Sequence, residues 1–115
     1  MFKFIKNLTR SKDENSKSFR REMARQINGK KLKYVSERIN DEDYVVGHEG
    51  ALIVKEDQLL VYSSADVVFR AKIDDLRMNE FLSKEGIILT GEDLEHDGKM
   101  RSVIAYYTYY RKVQP

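Results

Sequence analysis

Few side chains in this 115-residue chain have the types and spacing that chemistry requires. His48 and His96 are the only imidazoles, and cysteine is absent, so there is no thiolate nucleophile, no disulfide framework and no Cys-based zinc site. His48 stands in "GHEG", which reads as a polar, glycine-flanked turn. No G-x-S-x-G elbow accompanies it, so a base at His48 has no recognisable nucleophile to activate. Neither G-x-x-x-x-G-K-[ST] nor G-x-G-x-x-G occurs, which removes the common phosphate-binding loops. "DLEHDG" puts Asp93, Glu95, Asp97 and Gly98 at the opening positions of a calcium loop. The twelfth position, which must supply a bidentate carboxylate, is Ile104. A solvated Asp-Gly turn accounts for the segment without a metal. The expectation is a protein that is not an enzyme, with no catalytic residue, no metal and no cofactor.

The densest aromatic feature is "IAYYTYYRK" at 104–112. Read as a strand, Ile104, Tyr106, Thr108 and Tyr110 point to one face, and Ala105, Tyr107, Tyr109 and Arg111 to the other. The four tyrosines are thus two pairs on opposite faces. One pair is expected to pack beneath the sheet or a helix, with its hydroxyls hydrogen-bonded. Tyr107 and Tyr109, with Arg111 beside them, are taken as the outward pair, partly covered by the N-terminal helix and available to a partner. The strand lacks the RNP1 pattern and belongs to an acidic region, so nucleic acid is not expected as a partner. No small-molecule substrate is indicated.

Charge divides the chain. Residues 1–40 carry 12 Lys and Arg against 4 Asp and Glu, and the remainder 9 against 15. A basic front lies ahead of an acidic body, and the plainest reading sets one against the other, within a copy or between copies. In "MFKFIKNLTR", Phe2, Phe4, Ile5 and Leu8 alternate with Lys3, Lys6 and Arg10 as a short basic amphipathic segment that would suit an anionic membrane surface. It is not followed by the apolar run of a signal peptide, and nothing approaches the roughly 18 apolar residues of a membrane span. The expected location is cytoplasmic, with a peripheral position on the inner face of the membrane as the alternative.

The elements that position these residues follow from periodicity. Residues 1–15 read as a basic, partly flexible segment containing a possible capping box, Ser11 with Glu14, and 16–115 as one globular domain. A helix is predicted over about 16–28, with Phe19, Met23 and Ile27 as an apolar stripe and Gly29 as its stop. That stripe is read first as a docking face for the body and second as a binding surface. Strands follow over about 31–112. "KKLKYVSERI" reads as a strand with Leu32, Tyr34 and Ile39 as its apolar positions, and a short helix is the alternative. "GALIVKED" and "QLLVYSS" form a hairpin, and "VVFRAKID" buries Val67, Phe69, Ala71 and Ile73. "LRMNEFLS" fits either strand or helix. "GIILTGEDL" and "RSVIAYYTYYRK" face each other across a turn at Asp97-Gly98. The fold class is mostly β with an N-terminal α-helix, α+β, with about seven antiparallel strands forming a small barrel or sandwich.

The rhythm of "EGALIVKEDQLLVYSSADVVFRAKIDDL", with Gly50, Leu60, Phe69, Ile73 and Leu76 as its fixed points, resembles pleckstrin-homology-like and GRAM-like domains over residues 49–112. The resemblance implies a PH-like barrel whose mouth a helix closes. Only "VQP" follows the last strand here, so the helix at 16–28 is the candidate cover. It carries no lipid site across, because the segment matching the family's basic first hairpin is the acidic "NDEDYVVGHEG". The function expected is a non-catalytic PH-like binding or scaffolding module for protein–protein interaction, possibly self-associating. The alternative is a peripheral membrane adaptor using the basic N-terminus on anionic lipid.

Overall fold

The computed structural model describes residues 16–108. Helix α1 (Lys17–Ile27) starts where Ser16, in extended conformation, accepts the Phe19 N–H on its Oγ at 3.1 Å. This N-cap satisfies one of the helix's orphan donors. The capping box expected at Ser11 and Glu14 lies outside the described residues. At the other end the chain turns through Gly29 at φ +88°, a conformation that costs a glycine nothing and most residues something.

The end of α1 is stitched to the sheet. The Gly29 N–H donates to the Leu52 carbonyl at 2.7 Å, and the Leu52 N–H to the Lys30 carbonyl at 2.9 Å. The Val54 N–H donates to Asn28 Oδ1 at 2.8 Å. Arg21 forks onto Asp74 at 3.0 and 2.7 Å, fixing the start of the helix against the opposite edge.

Seven strands follow: β1 (Lys31–Ile39), β2 (Glu42–Lys55), β3 (Gln58–Ser63), β4 (Asp66–Lys72), β5 (Arg77–Glu80), β6 (Gly86–Asp93) and β7 (Lys99–Tyr107). They form one antiparallel sheet in the order β4-β3-β2-β1-β7-β6-β5, curled into a half-barrel with α1 against its inner face. The expected fold class, mostly β with an N-terminal helix, is the one observed.

Alternation sorts the inner face. Phe69 and Ala71 on β4, Val103, Ala105 and Tyr107 on β7, and Ile87 and Leu89 on β6 join Leu32, Val35, Leu52 and Leu59 in one core. Ala24 and Ile27 of α1 complete it. Ile27 is 1% exposed, and its burial is worth about 1.5–3 kcal/mol relative to an exposed isoleucine. The ambiguous segment "LRMNEFLS" resolves into a short strand: Leu76 and Met78 are buried, and Leu82 stands fully in solvent beyond it. Residues 67–83 are not all strand, because Ile73–Asp75 forms a 3-10 turn.

One local expectation is corrected. "GHEG" is not a turn: β2 begins at Glu42 and runs through His48, which pairs with Tyr34 of β1. Glu42 and Asp43 and the two glycines hid the alternation. Glycine is required at 50, where an added Cβ would meet the Tyr62 carbonyl oxygen at 1.8 Å, and this close approach is where β3 joins the far half of β2.

Candidate functional site

Tyr107 faces the core rather than solvent, which reverses the outward orientation expected of it. Its hydroxyl donates to Glu80 Oε2 at 2.8 Å, and Lys30 Nζ lies 4.8 Å from its ring centroid. Burial, reinforced by the Glu80 carboxylate, pushes the phenol far above its usual range, so it remains a donor. The outward ring is Tyr106, stacked on Tyr34 at 4.5 Å and flanked by Phe81 at 5.8 Å. The alternation was right about two faces, but sequence has no sign for which face is inside. Tyr109 and Arg111 lie outside the described residues, as do Phe2, Lys3, Phe4, Ile5, Lys6, Leu8 and Arg10.

The helical stripe serves packing. Ile27 is buried, Met23 packs partly buried against the core and Phe19 is half-buried. Beside the end of α1, a cleft of about 390 Å³ is lined by Lys30, Lys31, Tyr107 and Thr108. A second cleft of about 380 Å³ adjoins it and brings in Lys33 and Glu49.

A buried ionic cluster ties edge strand β4 to β6, β7 and β1. Asp93, at the end of β6, is fully buried. Its Oδ1 accepts the Glu95 N–H at 2.9 Å and the Arg70 N–H at 3.1 Å. Its Oδ2 takes Arg101 Nη1 and His96 Nδ1, the latter at 2.6 Å. Arg101, on β7, also forks onto Glu37 of β1 at 3.0 and 2.8 Å and reaches the Val68 carbonyl of β4 at 2.9 Å. Arg70 crosses to Glu95 at 2.8 Å.

Burial alone would raise the Asp93 carboxyl, but hydrogen bonds from Arg101, the Glu95 amide, His96 and the Arg70 amide hold it below its usual range. The Arg101 fork likewise lowers Glu37, and Glu37 in turn raises the Arg101 guanidinium. The His96–Asp93 contact has the form of an oriented base. No hydroxyl is hydrogen-bonded to that imidazole among the described residues, and Asp93 has its acceptor sites filled from within. What the cluster does visibly is satisfy the outward backbone groups of edge strand β4 with side chains from β6 and β7. Asp93 is thus buried, and not in the solvated hairpin tip that the Asp-Gly turn predicts. The missed signal was Arg101, four residues past Asp97 on the inward face of β7.

The opposite arrangement occurs on β2. Beyond the body of the sheet, β1 and β2 continue as a two-stranded arm closed by Asn40 and Asp41, both at positive φ. The arm leaves Ile39, Tyr44, Val45 and Val46 with exposures of 46, 49, 54 and 37%. These are most of the large apolar side chains that the described residues expose, the others being Tyr62, Leu82 and Met100. Arg38 pairs with Asp43 across the arm at 2.8 and 3.0 Å, and the Tyr44 hydroxyl donates to Glu42 at 2.6 Å. Register pinning of this kind keeps the arm a defined surface.

No helix among the described residues is long and apolar enough to cross a membrane, and no cluster of three or more metal-ligating side chains occurs among them. The chain has no match among family models, curated proteins or solved structures.

Proposed function

We propose that the protein is a non-catalytic interaction module of the pleckstrin-homology-like kind, in which the curled sheet is a scaffold and the β1–β2 arm is the surface offered to a protein partner. The observation that carries this reading is the arm's exposed Ile39, Tyr44, Val45 and Val46, held in register by Arg38–Asp43. Consecutive strand residues alternate, so Tyr44 and Val45 project from opposite faces of the arm, and its exposed apolar side chains flank the strand on both sides. The ionic cluster supports the non-catalytic part of the reading, because its donors and acceptors are spent on one another and on β4. The arm suits an extended apolar segment that adds as a strand, since main-chain bonds would supply affinity and the flanking side chains selectivity.

A selection from a displayed library of random twelve-residue peptides against the full chain tests this, with a Val45→Lys, Val46→Lys variant as counter-screen. Enrichment of β-branched and aromatic peptides that bind the natural chain and fail on the variant is expected. Absence of any binder sensitive to the variant would remove the reading.

A second reading, peripheral attachment of the basic N-terminus to anionic lipid, is favoured by one described feature. Lys30, Lys31 and Lys33 gather at the base of β1 with no ion pair to a carboxylate among the described residues. Sedimentation with phosphatidylserine vesicles, comparing the full chain with one lacking residues 1–12, tests it. The reading expects binding that the deletion abolishes, and equal behaviour of the two chains would dismiss it.

A further inference from the structure

Asn28-Gly29 is the sole Asn-Gly pair in the chain, and it stands where α1 hands over to β1. Such a pair is chemically labile. The backbone nitrogen after an asparagine can attack that residue's side-chain amide, and a glycine in second place offers no Cβ to obstruct the approach. The Gly29 nitrogen bonds to Asn28 Cγ as it gives its proton to solvent base, the Cγ–Nδ2 bond breaks, and ammonia leaves behind a succinimide ring. Water then opens the ring at one carbonyl or the other. One product is aspartate; the other is isoaspartate, in which the main chain runs through Cβ and Cγ and is longer by one carbon.

Solvent reaches this site. Asn28 is exposed, and a Cβ built on Gly29 would meet nothing within 4 Å. Burial therefore gives no protection, yet both reacting amides are engaged. Asn28 Oδ1 accepts the Val54 N–H at 2.8 Å, and the Gly29 N–H, whose nitrogen is the nucleophile, donates to the Leu52 carbonyl at 2.7 Å. The Asn28 N–H donates to the Ala24 carbonyl at 3.0 Å, with the residue at φ −60° and ψ 126°. Ring closure needs the Gly29 nitrogen eclipsed with Asn28 Cβ, at a ψ of roughly −120°, which lies outside the populated backbone regions. Seating α1 on β2 thus holds the two reacting atoms apart about the Cα–C bond.

We propose that Asn28-Gly29 is a site of spontaneous deamidation gated by the docking of α1 onto β2, silent while the helix is seated and reactive once its end lifts. The seat consists of Ala24 and Ile27 in the core, Met23 packed beside them, and the bond between the Leu52 amide and the Lys30 carbonyl. Local opening of this end frees ψ and both amides together. The product then acts on the fold. In isoaspartate the added main-chain carbon separates the Gly29 N–H from the carboxylate, so the bonds to Leu52 and Val54 lose their common register. A reversible opening becomes a permanent one.

Peptide mapping by mass spectrometry, with aspartate and isoaspartate separated by chromatography, tests this on the full chain held at mildly alkaline pH. Asn28 is expected to react about tenfold or more slowly in the folded chain than in urea. Ile27→Ala and the milder Met23→Ala loosen the seat and are expected to speed the folded reaction several-fold. Val103→Ala, which opens a cavity under β7 where the neighbours are Glu37 of β1 and Leu89 of β6, is expected to leave the folded rate at Asn28 unaltered. In the reacted chain the Val54 amide should exchange with deuterium faster than in the fresh one. Equal rates in the folded chain and in urea, no acceleration in either α1 variant, or the same acceleration in Val103→Ala would each overturn the gating; an unchanged Val54 amide in the reacted chain would overturn its permanence.

Discussion

Two free margins of this sheet, the β4 edge and the unpaired half of β2, are treated in opposite ways. Along β4, the outward Arg70 amide and Val68 carbonyl are taken up by Asp93 and Arg101, which stand in for the missing neighbour strand. Along the arm of β2, the outward groups from Glu42 to Gly47 meet no strand among the described residues, and the side chains beside them are apolar. A curled sheet of seven strands must dispose of two edges. Its terminal strands are β4, whose outward groups are taken up by side chains of β6 and β7, and β5; the unpaired half of β2 is a further free margin. That contrast teaches where to look for function: the richest cluster of charged groups is spent on the fold, and the plainest stretch of β-branched residues is the one left available.

Breaking the sealed margin is expected to have the largest effect. Asp93→Ala removes the acceptor for two backbone amides, for His96 and for one arm of Arg101, leaving a nearly buried guanidinium short of a partner. Loss of about 3–5 kcal/mol of unfolding free energy is expected in urea titrations, as for other buried pairs broken from one side. Acid should weaken the same margin without mutation. Asp93 and Glu37 are held below their ordinary range in the folded state, so their contribution is present above the unfolded carboxylate value of about 4 and is lost as pH falls below it through the folded values. Melting curves from pH 6 to pH 2 should show the fall chiefly below about pH 4, and Asp93→Ala should flatten it.

Smaller effects sharpen the comparison elsewhere. Tyr107→Phe keeps the buried ring and deletes only the hydroxyl bond to Glu80. A loss of about 1 kcal/mol is expected, the size of one hydrogen bond, and nothing should change at the arm. Ser16→Ala removes the N-cap of α1 and should likewise cost about 1 kcal/mol.

Much of this architecture was legible in the residues. Period-two alternation in 69–71 and 103–107, the Gly29 stop and the Asp97-Gly98 turn are local signals, and the helix and most strands follow from them; a bulge opposite Val61 and Tyr62 breaks the alternation, so that Val68 packs against the core where Val67 was expected. Ile27 and Met23 were readable as a docking stripe because a helix exposing them on an otherwise charged surface needs something to cover them. The arm was not legible, because "NDEDYVVGHEG" opens on acidic turn formers and its two glycines interrupt the pattern. The orientation of Tyr107 was hidden for a different reason: period two says that faces alternate and leaves open which one is inside. The ionic seal depends on Glu37, Asp93 and Arg101 meeting across three strands, a pairing that no local spacing announces.

The contrast between the margins is tested most directly by residue-resolved amide hydrogen exchange on the dilute, monomeric chain. The account predicts strong protection of the Arg70 amide, which donates to buried Asp93, and rapid exchange at Asp43 and Val45. Protection of Val45, or rapid exchange at Arg70, would contradict it.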